Sequence, residues 1–261
     1  ISAGNVPDIK GLHSFQGEWY HTGSWPHEKV DFAGKRVAVI GTGSSGVQSI
    51  PVIAEQAGHL TVFQRTAQYT IPARHATVDR RFLEEEVKPN YAEILEKARW
   101  SHGGFPVDPN ERSALEVTAE ERQETYESGW AGGGFGFLFG SFKDLTTDRR
   151  ANDTVSEFIR SKIRETVKDP ETVEKLLPTD HPFTSKRALI DTNYFDTYNR
   201  ENVELVDIRH SPIQEITPKG IRTEDEEFEF DMIVFATGFD AMTGTFFKMD
   251  IRGRNDVALK D

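Results

Sequence analysis

The 261-residue chain contains no cysteine. That excludes disulfides, thiolate metal sites and a redox-active cysteine pair. Positive charge is scarce as well: 31 lysines and arginines face 43 aspartates and glutamates, a formal net charge of −12. A nucleic-acid partner calls for a basic surplus, so this balance argues against one. Any cation serving an anion here must act locally. No apolar run approaches the roughly 18–20 residues that cross a bilayer, so no membrane partner is expected. Residues 1–10 lack the basic start and apolar core of a leader, and a cytoplasmic location is expected. The eight histidines are scattered without metal-ligand spacing, so no metal is expected. No G-x-S-x-G elbow is present. What remains is the composition of an ordinary globular protein, with 36% hydrophobic and 28% charged residues.

Four stretches differ in texture. Residues 1–35 are loop-like, aromatic and rich in glycine and proline. Arg36–Ile40 is a short apolar run before glycine, as in a buried parallel strand. A helix follows from about Ser44 to Gln56, with Val47, Ile50 and Ala54 on one face, and Pro51 is expected to kink or weaken it. His59–Arg65 is the next strand. Residues 76–180 are charged and mostly helical. Thr118 to Glu121 and Thr154 to Glu157 both fit capping boxes. Val155, Phe158, Ile159 and Ile163 recur at helical spacing, and Asp169-Pro170 fits an N-cap with proline at the first helical position. Strands resume at Val203–Ile208 and Asp231–Thr237, with a hairpin of Ile213–Thr217 and Gly220–Glu229 between them. The glutamates at 84–86 and 226–229 read as solvated faces or strand edges. Ile1, Ser2, Ala3 and Gly4 read as the end of a strand, and residues 256–261 stop without a closing turn. Both suggest a piece of a longer protein.

Gly41, Thr42, Gly43, Ser44, Ser45 and Gly46 fit G-x-G-x-x-G between a strand and a helix, which is the context a dinucleotide site requires. Gly41 allows the tight turn, Gly43 the close approach of a pyrophosphate, and Gly46 the packing of helix on strand. The helix N-terminus offers N–H groups to the phosphates. An NAD site places a carboxylate at the end of the second strand. Here that position reads Gln64, Arg65, Thr66. Arg65 suits a 2′-phosphate and Thr66 adds a hydroxyl, so NADPH is the expected cofactor. Gly132–Gly140 is glycine-rich too, but no strand precedes it and it carries three phenylalanines. It is expected to be a loop or gate with an apolar side.

Phe15, Gly17, His21, Trp25 and Pro26 complete the pattern F-x-G-x-x-x-H-x-x-x-W-P immediately before the first strand of this unit. The pattern resembles the fingerprint of the Baeyer–Villiger monooxygenases. The stretch Gly41–Arg74, the helical region, and Ala236, Thr237, Gly238, Phe239 and Asp240 resemble cyclohexanone- and phenylacetone-type members. Ser2, Ala3 and Gly4 resemble the last flavin-domain strand of that family.

The resemblance implies an α/β fold: a Rossmann-like three-layer nucleotide-binding domain of the FAD/NAD(P)-binding type with a helical insertion. It implies a linker from a missing FAD domain at 1–30, the NADPH domain at 31–75 and 181–240, the insertion at 76–180, and a return toward the FAD domain at 241–261. It implies that NADPH supplies electrons, that FAD is held mainly by residues outside this chain, and that O2 and a ketone are the partners, giving an ester or lactone. Thr184, Ser185, Lys186 and Arg187 match the family segment that supplies a fixed cation to an anionic oxidant. Arg187 is then the catalytic arginine and Lys186 a second 2′-phosphate contact. Gln48, Ala236 and Thr237 join the cofactor contacts, and His21 sits at the junction of the nucleotide domains. A heteroatom-oxidising flavin monooxygenase, or an isolated NADPH-binding module, stays open as an alternative.

Overall fold

A computed structural model of the chain describes residues 3–101, 103–240 and 243–260. In chain order the strands are β1 Glu18–His21, β2 Arg36–Ile40, β3 His59–Gln64, β4 Thr70–Pro72, β5 Leu189–Asp191, β6 Val203–Asp207, β7 Ile213–Thr217, β8 Gly220–Thr223, β9 Glu227–Glu229 and β10 Met232–Phe235. The helices are α1 Ser44–Ala54, α2 Arg80–Phe82, α3 Tyr91–Trp100, α4 Ala119–Gly132, α5 Gly134–Gly140, α6 Arg149–Thr166, α7 Pro170–Leu176, α8 Tyr194–Thr197 and α9 Gly244–Phe247. A π-helical turn, Leu83–Val87, continues α2. The strand end expected at Ile1 and Ser2, and the last residue, Asp261, lie outside the described residues.

The chain divides into two compact units, residues 1–67 with 194–261 and residues 68–193. The first contains a five-stranded parallel sheet in the order β1-β10-β2-β3-β6. Its central strands are buried along nearly their whole length, which explains their continuous apolar runs. Ala38, Ile40, Phe63, Ile233 and Phe235 share a core with Ile216 and Ile221 from the antiparallel β7-β8-β9 sheet and with Phe230, which follows β9. The alternate residues Val37, Val39, Leu60 and Val62 point to the opposite face, and α1 packs on β2 and β3. Each buried valine, leucine, isoleucine or phenylalanine among them contributes about 1.5–3 kcal/mol. Sheet, antiparallel cover and helix make the expected three-layer α/β arrangement.

The second unit is helical, with a two-stranded parallel sheet of β4 and β5. Its core gathers Tyr126, Phe137, Phe158, Ile159, Ile163 and Phe183. Residues 68–75 and 181–193 fall in this unit rather than in the Rossmann unit, because the pairing of β4 with β5 ties them together.

Several local expectations change. The linker at 1–30 contains a strand: β1 pairs in register with β10, Trp19 opposite Ile233. The second arm of the hairpin is two strands, β8 and β9. α1 contains Pro51 and ends at Ala54 rather than at Gln56. Gly132–Gly140 is helical, not a loop. Gly133 at φ +69° separates α4 from α5, and burial of Phe137 against Tyr126 and Phe158 favours the helix. The box at Thr154–Glu157 does not form. Asp148 caps α6 earlier by accepting from Arg150 N–H, so Thr154 is interior and bonds Ala151 carbonyl and Tyr126 hydroxyl. The box at Thr118–Glu121 and the cap at Asp169 are both present.

Candidate functional site

The carboxyl ends of three neighbouring strands, β10, β2 and β3, bring together the glycine turn, Arg65 with Thr66, and Ala236 with Thr237. The chain leaves β2 through α1 toward β3, while β10 lies on the other side, so the turn stands at a switch point of the sheet. Gly41 has φ +108°, and a Cβ there would lie 2.7 Å from Ala236 carbonyl oxygen. A Cβ on Gly46 would lie 2.2 Å from Gly41 oxygen. Both glycines are therefore demanded by packing. Gly43 differs: a Cβ there would meet nothing within 4 Å, so its backbone faces open space at the N-cap of α1, which has no side-chain cap. An uncapped helix start with an open glycine edge fits a diphosphate.

The side chains around the turn divide in role. Thr42 is buried and its hydroxyl donates to Thr66 carbonyl at 3.1 Å, tying the turn to the end of β3. Ser44 and Gln48 are exposed and Ser45 half-buried. Arg65 is exposed and has no hydrogen bond or ion pair among the described residues. Ala236 is buried and forms the wall that Gly41 and Gly46 pack against. Thr237 hydroxyl donates to Asn5 carbonyl. The motif marks Ala236 and Thr237 as expected cofactor contacts, whereas these two packing roles depend on chain segments remote in sequence and carry no signal of their own.

The fingerprint folds onto the same sheet. A Cβ on Gly17 would meet Asp231 oxygen at 2.4 Å. Phe15 packs beside the sheet core. Trp25 leans on Tyr20 and Phe32 and lines a surface groove of about 650 Å³ with Pro26, Thr22, Ser45 and Gln48. His21 ends β1 and is buried. Its Nδ1 accepts from Gly23 N–H at 3.0 Å, which leaves the proton of the neutral ring on Nε2. Nε2 is buried without a partner among the described residues. Beside the ring, residues 3–5 run antiparallel to 238–240. Asn5 N–H donates to Gly238 carbonyl and Asp240 N–H to Ala3 carbonyl, both at 2.9 Å. Phe239 meets His21 edge-on at 6.0 Å.

Lys186 and Arg187 belong to the second unit, on an exposed segment just before β5. Thr184 precedes them in a left-handed conformation at φ +69°. Arg187 has no hydrogen bond or ion pair among the described residues. A hydrogen bond from His181, with a smaller contribution from Lys186, lowers the Asp180 pKa.

No family model matches the chain. A Baeyer-Villiger monooxygenase from Pseudooceanicola batsensis is 47% identical over 263 residues, which is 100% of this chain and 48% of that protein. The solved structure of an oxidized steroid monooxygenase bound to NADP is 51% identical with a TM-score of 0.94, covering 99% of this chain and 49% of that one. Over its whole length the chain is similar to Baeyer–Villiger monooxygenases. It spans about half the length of the curated relatives it matches. The family also borders on another chemistry: phenazine N-monooxygenase PhzNO1 of Lysobacter antibioticus is 45% identical over 257 residues, 98% of this chain and 47% of that protein. No helix of the described residues is long and apolar enough to cross a membrane.

Proposed function

We propose that the chain is the NADPH-binding part of an FAD-dependent Baeyer–Villiger monooxygenase that inserts one oxygen atom of O2 into a ketone, giving an ester or lactone. The observation that carries the reading is the complete fingerprint folded onto the same parallel sheet as the glycine turn. In this reading Gly41, Gly43 and Gly46 shape the bed for the pyrophosphate. The N-terminus of α1, at Ser44, Ser45 and Gly46, faces it with N–H groups, and Gln48 stands one turn further on. Arg65 and Thr66 hold the 2′-phosphate, and Lys186 adds a second contact. Ala236 and Thr237 border the same site from β10. Arg187 supplies a permanent positive charge where the oxidant is anionic, since guanidinium does not titrate in the working range. FAD, held mainly by the remainder of the polypeptide, supplies the oxygen chemistry when bound. Residues 1–30 and 241–261 are the connections to that remainder.

The similarity to a phenazine N-monooxygenase favours one second reading, oxidation of nitrogen or sulfur. The test is NADPH oxidation by the full-length protein with cyclic, linear and aryl ketones, sulfides and aromatic amines, scored by product. Esters or lactones from ketones are expected. N-oxides or sulfoxides without any ester would replace the first reading with the second. The 261-residue chain alone is expected to bind NADPH and to oxygenate nothing. Oxygenated product from the chain alone would overturn the division of labour.

A further inference from the structure

Three polar side chains on α6 hold the segment that leads to Lys186 and Arg187. Asn152, Ser156 and Arg160 recur at four-residue spacing and so form one stripe along the helix. Residues 178–183 run antiparallel beside it, and each member of the stripe bonds their backbone. Arg160 donates to Pro178 carbonyl at 2.9 Å and to Tyr69 hydroxyl at 2.9 Å, and Tyr69 hydroxyl donates to the same carbonyl at 3.0 Å. Ser156 hydroxyl accepts from Phe183 N–H at 3.4 Å.

Asn152, at one end of this stripe, makes four side-chain hydrogen bonds. Its amide is buried and fully used. Nδ2 donates to Phe183 carbonyl at 2.8 Å and to Leu145 carbonyl at 2.7 Å. Oδ1 accepts from Phe183 N–H and from Ser156 hydroxyl, each at 3.1 Å. Two donors and two acceptor sites exhaust what the group offers. A shape-filling role at this buried position needs only an apolar residue, and a buried amide is costly unless satisfied. Its gain is specificity: both backbone groups of Phe183 are gripped, so one register of the segment is selected.

The buried Phe183 ring adds an apolar hold on the same residue, packing against Tyr69 and Phe137. Beyond Phe183 come the left-handed Thr184 and a tight turn in which Ser185 N–H and hydroxyl both donate to Pro182 carbonyl. Lys186 and Arg187 are themselves exposed. We propose that Asn152 is a positioning residue that sets, through the backbone of Phe183, where Lys186 and Arg187 stand. The inference rests on the NADPH-dependent oxygenation proposed above for its consequence in turnover, but not for the anchoring itself.

The test compares full-length wild type with Asn152→Leu, which keeps the branched heavy-atom outline and removes all four hydrogen bonds. Limited trypsin digestion followed by mass spectrometry reads the anchoring. Cleavage after Lys186 and Arg187 is expected to accelerate by about tenfold, as loss of buried hydrogen bonds implies, with cleavage after Arg254 unchanged. In turnover, KM for NADPH is expected to rise, and the fraction of consumed NADPH recovered as oxygenated product to fall, with kcat for NADPH oxidation little altered. A folded Asn152→Leu protein with wild-type cleavage, KM and product yield would overturn the proposal, even if its Tm fell. Ser156→Ala, expected to shift the same cleavages by a smaller factor, decides the matter if Asn152→Leu does not fold, and unchanged cleavage there overturns the proposal as well. A wild-type protein that oxygenates no ketone would instead sink the functional reading, leaving the cleavage result to judge the anchor.

Discussion

Arg65 and Arg187 share one property that counts for anion recognition. Each is exposed and, among the described residues, has no carboxylate partner. In a chain with net charge −12, most other arginines find one: Arg36 lies on Asp231 and Glu229, Arg149 on Asp153, Arg252 on Asp250 and Asp256. An arginine kept clear of carboxylates retains its planar array of donors for an anion from elsewhere. Arg65→Ala is expected to raise KM for NADPH by about tenfold or more, the scale of charge-assisted hydrogen bonds, and to leave KM for NADH unchanged. Steady-state kinetics with both coenzymes measure this, and an unaltered preference would remove Arg65 from the 2′-phosphate. Arg187→Ala is expected to separate the half-reactions. NADPH should still reduce the bound flavin, seen as bleaching in anaerobic stopped flow, while ester formation falls by roughly 10²–10³-fold, as for loss of one transition-state charge contact. Ester formation near the wild-type rate would assign the role elsewhere.

At the scale of elements, the N-terminus of α6 offers a pH test. The Arg150 side chain and backbone N–H hold the Asp148 carboxyl down to about 2, from an ordinary value of 3.8. A depressed folded value means the stabilisation is present above the unfolded value and is lost as the pH falls through about 2. Asparagine caps a helix nearly as well but does not titrate. Asp148→Asn should therefore unfold more easily than wild type at neutral pH, and the difference should close as the pH approaches about 2. Thermal unfolding followed by circular dichroism reads it, and a gap that persists at the acid end would contradict the assigned shift. Elements whose signals are local were legible in the sequence: β2, the glycine turn, α1, β3, and the caps at Thr118 and Asp169. The missed ones depend on remote partners. β1 shows no apolar alternation, because half of it is exposed and β10 defines it. β4 and β5 have three residues each and exist only through each other. The box at Thr154 failed because a cap pattern says nothing about a stronger cap upstream. In the site, the glycine motif and Arg65 could be read directly. Asn152 could not, because a lone asparagine near the start of a helix carries no signal until Phe183 comes to lie against it.

At the scale of the whole molecule, the first unit carries its two outer segments side by side. Residues 3–5 and 238–240 form a short antiparallel ladder, with the His21 ring packed on it. A Cβ on Gly4 would lie 2.8 Å from His21 Cε1, so Gly4→Ala must displace either the ring or the ladder. Amide exchange at 238–240, read by mass spectrometry, is expected to quicken several-fold, while β2 and β3 keep their protection. Uniform acceleration across the sheet would instead mean general destabilisation, and no change would separate His21 from the ladder.

The ladder has a mechanical consequence. A single connecting strand swivels freely about its own axis and transmits no torque. Two strands joined by hydrogen bonds behave as a ribbon, which bends across its thin direction and resists twisting. Residues 3–5 therefore cannot shift without straining their bonds to residues 238–240, and the His21 ring, which lies against Gly4 and Phe239, would feel that shift. Its Nε2, buried without a partner among the described residues, belongs to the same ring.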